Sequence, residues 1–536
     1  MRSVRWIASA LVLVVAGSVA GPAQAVSGPP SGKPVPGPID DMDYSLTLER
    51  LSVNAPRPPR GATVTGPTRA DIDGDGVDDI VIGSSVGVHV DYSRLTHTDL
   101  VRPRNRDLRF DSAISTGDFD GDGFDDLAVG STADGSSWHG PIARNPQAGA
   151  VWTVPGGPDG LRIDRARHIN QDTPGVPSVA AQEDLFGQGL ATGDLNGDGR
   201  DDLAVYASNE RDSGARFAGA VTVLYGGPDG ITGSGAQQLT QAMAAVPGSA
   251  RRENYFGWGL AIGNVTGDRY ADLVVGAWGD ADGRSQFIGT GKVYLFRGSA
   301  AGLSLTGVQQ VTAPAVGTYG SHYVQYLGES LAIADLNGDG FGEVVAGAPL
   351  TQVGTALAGV IVVLRGTSSG LTLTGRQLIS EASSGVPGDA LWDDWFGSGL
   401  RLGDVTGDGR PDALIPLPGK SVRGHAGAGY LLLLPGTAGG LGTSGARVFA
   451  QPNDGMLCGP GADEGFGTVA LLNLDGTGAV DALVATDLET TCGWDDGVVT
   501  VFGGGSGTLT GYGTVAAHTY NPSAPRITTY FGQLPT

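Results

Sequence analysis

Four oxygen-bearing side chains recur at fixed spacing in this chain, and their chemistry suits a hard cation. In "DLNGDGRDD" (194–202), Asp194, Asn196, Asp198 and Asp202 occupy positions one, three, five and nine. Calcium takes about six to eight oxygens, and short loops supply them from alternate side chains plus a backbone carbonyl. Arg200 at position seven has only its carbonyl to offer. Gly197 and Gly199 let the backbone curl so that alternate side chains point inward. No histidine recurs beside these carboxylates. They serve metal capture rather than proton transfer.

The pattern returns along the chain, in loops that begin at residues 71, 118, 194, 264, 335, 404 and 473. Loop one offers Asp71, Asp73, Asp75 and Asp79 with Val77 at position seven, and loop two offers Asp118, Asp120, Asp122 and Asp126 with Phe124. Loop five has Asp335, Asn337, Asp339 and Glu343 with Phe341; loop six has Asp404, Thr406, Asp408 and Asp412 with Arg410. With loop three, these are expected to hold about five structural calcium ions. Loops four and seven are degraded. Asn264, Thr266, Asp268 and Asp272 surround Arg269 where a glycine should stand, and Asn473, Asp475, Thr477 and Asp481 form the last copy. Two carboxylates compete poorly with calcium's hydration, so turns without metal are expected in both. An EF-hand requires Glu at position twelve. That position holds Ile82, Val129, Val205, Ala346 and Ile415 in the five well-formed loops, so the EF-hand reading fails.

Each loop is followed by an apolar run such as "LAVGS" or "LVVGAW", then by a second run ending in a glycine turn, as in "GAVWTVPGGPDGL" (149–161). Five copies open on an aromatic or Leu before glycine: Phe186-Gly187, Phe256-Gly257, Leu327-Gly328, Phe396-Gly397 and Phe466-Gly467. One repeat thus contains four strand-like segments. A four-stranded antiparallel sheet per repeat is the unit of a β-propeller, whose radially stacked sheets bury the faces a lone sheet would expose. The chain is therefore read as all-β, a seven-bladed β-propeller over residues 44–520 with a tail at 521–536. The alternating segment "YSLTLERLSV" (44–53) is read as a strand that closes the ring on the last blade.

These elements resemble the FG-GAP repeat that builds the amino-terminal propeller of integrin α subunits. "YLGESLAIADLNGDGFGEVVAGAP" (326–349) carries the resemblance most closely, and the likeness extends over roughly residues 60–515. It implies an adhesion or binding module. Because the repeats fill the sequence, no integrin-like stalk or inserted adhesion domain is expected within it.

The remaining signals concern address and partners. Arg2 and Arg5, the apolar stretch from Ile7 to Ala20 and "AQA" at 23–25 form an export signal with cleavage near Ala25. Residues 26–43 read as a Pro/Gly-rich linker, and the product as a secreted monomer without a transmembrane helix. The formal charge of −23 disfavours nucleic acid and anionic membranes. Twenty-four of the 56 Asp and Glu residues fall inside the seven loops, so much of that charge is ligand. Cys458 and Cys492 are expected to form a disulfide after export. Antiparallel order puts the long connections at the end opposite the acidic loops, where propellers bind ligands. Trp138, His139, Trp278, His322, Tyr323, Trp392 and Trp494 lie there, placed to meet an extracellular glycan or protein, or to cover blade ends. "GSSVG" (83–87) and "GTSSG" (366–370) match a nucleophile elbow in letters only, because that elbow needs a strand–turn–helix. No catalytic residue is assigned. An extracellular hydrolase or lyase on the same scaffold is the alternative.

Overall fold

Runs such as "DLAVYA" and "EVVAGA" alternate poorly because both of their faces are covered. The second strand is wholly buried in six blades, and a strand buried on both sides reads as a continuous apolar stretch. The computed structural model describes residues 46–51, 68–84, 87–104, 110, 112–132, 147–280, 289–451, 468–486, 498–516 and 531–533. The expected leader, linker and Cys458–Cys492 pair lie outside the described residues, as do Trp138, His139, Phe466 and Trp494. Among the described residues no helix is long and apolar enough to cross a membrane.

The fold is the expected seven-bladed propeller of antiparallel four-stranded sheets. Blade three is representative: Phe186–Gly193, Asp202–Ala207, Ala220–Leu224 and Gln237–Leu239 run in order from the inner to the outer edge. The core is distributed along the seams between blades. One apolar cluster joins blades seven, one and two, and five more follow the successive seams round to blades six and seven.

The "FG" and "GA" elements explain each other at these seams. A Cβ added to Gly130, Gly276 or Gly347 in a second strand would lie 1.9 Å from the carbonyl oxygen of Gly187, Gly328 or Gly397 in the next blade. Backbone meets backbone there, and only glycine permits it. Blade three departs from the pattern. Tyr206 takes that second-strand position, and its ring fills the space beside Gly257.

Ring closure differs from the sequence expectation. Leu46–Leu51 does not join the last blade; it pairs with Thr98–Pro103 as a fifth, outer strand of blade one. Its Leu46 and Leu48 pack onto the blade-one core, which the alternation of the segment allows. The ring is closed by Phe531–Gln533, which pairs with Ile80–Ser84 and takes the inner-edge place that blade one otherwise lacks. The expected tail therefore contains a structural strand. Its "FGQ" repeats the opening of blade three at residues 186–188, a signal legible in the sequence.

Buried polar braces tie neighbouring blades at the end opposite the loops. Gln171 donates to Glu210 at 2.5 Å, Gln241 to Asp280 at 3.0 Å, and Lys420 to Glu381 at 2.8 Å. Burial, with Asp184 next in weight, pushes Glu210 up to about 7. A raised carboxyl contributes stability that is complete below its ordinary range near 4.5 and is lost as pH rises through about 7. Glu210→Gln removes that ionisation. In urea melts the variant should gain on the parent chain between pH 5 and pH 8, and a constant difference would refute the raised carboxyl.

Candidate metal centres and the opposite face

Loop one encloses its carboxylates more fully than the other four well-formed loops. Asp71, Asp73 and Asp79 are buried, and each brings an oxygen within 4.8 Å of the others; Asp118, Asp120 and Asp126 converge equally in loop two. The turn chemistry that gathers them is local. Asp118 Oδ1 accepts from the Gly121 and Asp122 N–H groups at 2.7 and 3.1 Å, while Oδ2 accepts from Gly123 N–H at 3.0 Å. Asp194, Asp335 and Asp404 repeat this arrangement in loops three, five and six.

Three buried carboxylates side by side are costly without positive charge among them. Arg94 Nε lies 3.7 Å from Asp73 Oδ2, and Arg162 Nη2 lies 2.7 Å from Asp122 Oδ2. Arg69 beside Asp78 and Arg200 against Asp120 add a second guanidinium to each, and with five acids apiece both loops stay acidic. Burial pushes Asp71 up to about 6 and Asp126 up to about 8, and neighbouring aspartates add to each. A divalent cation reverses such a balance by favouring the ionised form. The hard oxygen set and the clustering of the acids fit such an ion.

Position nine has a second task. Asp202 Oδ2 accepts from Leu195 N–H at 2.9 Å and its Oδ1 from Gly226 N–H at 2.9 Å. Asp126, Asp272, Asp412 and Asp481 make the same pair of bonds. Each fastens the loop to the exit of its blade's third strand. The degraded loops keep this acid for that structural reason.

Loop four turns its polar groups on itself, while loop seven makes the same seam bond to its neighbour that loop one makes to Asp125. The Asn264 side-chain amide donates to the Asp268 carbonyl, and Thr266 Oγ1 donates to Asp272 at 3.0 Å. Asn473 N–H donates to Asp78 of blade one at 2.7 Å. Asp268→Asn should leave the number of bound calcium ions unchanged in equilibrium dialysis, whereas Asp73→Ala should remove one. Loss of an ion in the first variant would show that loop four binds metal.

At the other end, the bulky residues immediately before four of the five "FG" or "LG" pairs are held in left-handed backbone: Leu185 at φ 58°, Tyr255 at 51°, Tyr326 at 60° and Trp395 at 55°. That conformation is a strained one for bulky side chains. Bonds from the N–H groups of Leu185, Tyr255 and Tyr326 to Gln147, Phe217 and Gly289 maintain it. Tyr255 stacks on Trp278 at 5.1 Å, with Trp258 and Tyr326 at 5.5 and 5.2 Å from the same indole. Trp278 is thus a half-buried member of a cluster. Glu329 lies within reach of Trp258, and burial pushes it up to about 7. Sequence reasoning passed over Glu329 because it stands alone in an apolar strand entry. The exposed Tyr323 and Trp392 lie on this face, as expected.

An all-β ring with acidic hairpins at one end and strained turns at the other defines a propeller of repeated acidic-loop blades. The chain carries FG-GAP repeats: the FG-GAP repeat model matches residues 110–154, 186–224 and 327–364. These segments are the first three strands of blades two, three and five. The chain is 31% identical over 170 residues to integrin alpha-PS5 of Drosophila melanogaster, covering 31% of this chain and 15% of that protein. It is 23% identical over 238 residues to the phosphatidylinositol-glycan-specific phospholipase D of Dictyostelium discoideum, covering 43% of this chain and 24% of that protein. The human protein of that name is 28% identical over 234 residues, with 26% of it covered. The matched part is about a quarter or less of each relative. A crystal structure of rhamnogalacturonan lyase YesW aligns over 86% of this chain and 60% of that chain, at 14% identity and a TM-score of 0.34.

Proposed function

We propose that this is a secreted, calcium-stabilised propeller that binds an extracellular glycan or protein through the face opposite its metal loops. The calcium is structural, held by loops one, two, three, five and six, and supplies no chemistry to a substrate. One observation carries the choice of face. The large apolar side chains most exposed among the described residues are Val179 at 74%, Tyr323 and Trp392 at 59%, and Leu391 at 50%. All four lie in connections from the outer strand of one blade to the inner strand of the next, which antiparallel order places at that end. Scattered single apolar residues need no explanation, but four confined to one end of a ring mark a contact surface. Resemblance to integrins supports a binding role, and the acidic surface supports a partner other than nucleic acid.

The test is binding to glycan arrays and to cell surfaces, in calcium and in EDTA, alongside a broad hydrolase and lyase screen. Saturable binding that Tyr323→Ala and Trp392→Ala weaken about tenfold or more, with unchanged melting temperature, is expected of aromatic anchors. Turnover of a substrate, with binding unaffected by both variants, would overturn this reading in favour of an enzyme.

A further inference from the structure

The metal loops touch one another. Around the ring, position eight of one loop donates its N–H to the position-one carbonyl of the preceding loop. Asp125 donates to Asp71 at 3.0 Å, Asp201 to Asp118 at 2.9 Å, and Ala271 to Asp194 at 3.0 Å. In the first two seams the bond is doubled, because the Asp125 and Asp201 carboxylates accept the N–H groups of Asp71 and Asp118 at 2.8 and 3.2 Å. Position seven then covers the preceding loop. A Cβ on Gly74 would lie 2.5 Å from the Phe124 ring, and Arg200 Nε donates to the Asp120 carbonyl at 3.2 Å. Sequence reading assigned position seven only a carbonyl; its side chain is a lid on the neighbour.

We propose that the loops take up cation as two coupled groups, loops one to three and loops five and six, separated by metal-free loops four and seven. This rests on the calcium reading above. A cation in loop two fixes the backbone of Phe124, whose ring closes loop one, and Asp118, whose main chain is held by loop three. Loading either neighbour therefore lowers the cost of ordering the other, and the effect is reciprocal. Loop four ends the first group because it offers only two carboxylates, Asp268 and Asp272, too few to compete with calcium's hydration. Loops five and six form the weaker group. Pro411 stands at position eight there and has no N–H, leaving the Arg410 Nη1 bond to the Asn337 carbonyl at 2.9 Å.

The experiment titrates the cation-free chain with calcium against a chromophoric chelator, for the parent, Phe124→Ala, and Asp118→Asn with Asp120→Asn. Phe124→Ala retains every carboxylate, so it reports coupling even if the double variant folds poorly. About five-fold weaker binding of one ion, with stoichiometry unchanged, is expected from Phe124→Ala. The double variant should lose one ion and weaken two others by a similar factor, leaving the remaining two untouched. Loss of one ion with the other affinities unaltered, or a Phe124→Ala isotherm identical to the parent's, would overturn the coupling while sparing the calcium reading. A parent chain that takes up no calcium would overturn both.

Discussion

Stripping divalent cations from the chain is expected to lower its melting temperature by about 10 °C or more, because several loops lose their ions together. Each ion present at 100 times its dissociation constant adds roughly 2.7 kcal/mol to the folded state. Loop one should dominate, since Asp71, Asp73 and Asp79 are all buried and have no bulk water to spread their charge. Without metal, carboxylates at hydrogen-bonding distance from shared backbone groups repel one another and loosen the hairpin. The repulsion reaches neighbouring blades, because the same loops bond across every seam from blade one to blade four. Calorimetry with calcium, with EDTA, and with calcium restored would measure the effect and its reversibility. A melt indifferent to EDTA would contradict a structural role for the loops.

Lys420 is the site of the second large effect. The chain has only three lysines, and the two in the propeller, Lys292 and Lys420, are both buried. Lys420 Nζ lies 2.8 Å from Glu381 and 2.9 Å from Asp394, and the Tyr430 hydroxyl donates to the same Glu381 oxygen. Removing one partner of a buried ion pair leaves charge unpaired, at a cost of about 3–5 kcal/mol. Lys420→Ala strands two carboxylates and should sit at the upper end of that range. Replacing Lys420, Glu381 and Asp394 together by apolar residues should recover much of the loss, since buried pairs are often matched by well-packed hydrophobic groups. Denaturant melts of both variants would decide it. By contrast, Arg252→Ala breaks an exposed pair with Glu253 and should be indistinguishable from the parent.

The chain's repeat was legible because its cause is local. A curled acidic turn needs oxygens at alternate positions and glycines between them, and a strand covered on both faces needs a continuous apolar run. Both constraints act within a dozen residues and return in every blade, so sequence alone determined the all-β class, the blade number and the loop positions. Ligand roles at position nine were half legible. The acids were visible, but their bonds to Gly226 and its equivalents join residues some two dozen positions apart.

What only the tertiary structure decided are contacts between segments that share no local pattern. Asp78 meets Asn473 across 395 positions, Phe531–Gln533 supplies the inner edge of blade one, and Leu46–Leu51 takes its outer edge. A strand's sequence records which of its faces is buried, because side chains alternate with period two. It does not record which neighbour donates to its backbone, because every main chain offers the same N–H and carbonyl groups. The lids at position seven have the same origin. Phe124, Arg200 and Arg410 look like ordinary loop residues until the ring closes and sets each against the acidic loop of the blade before it.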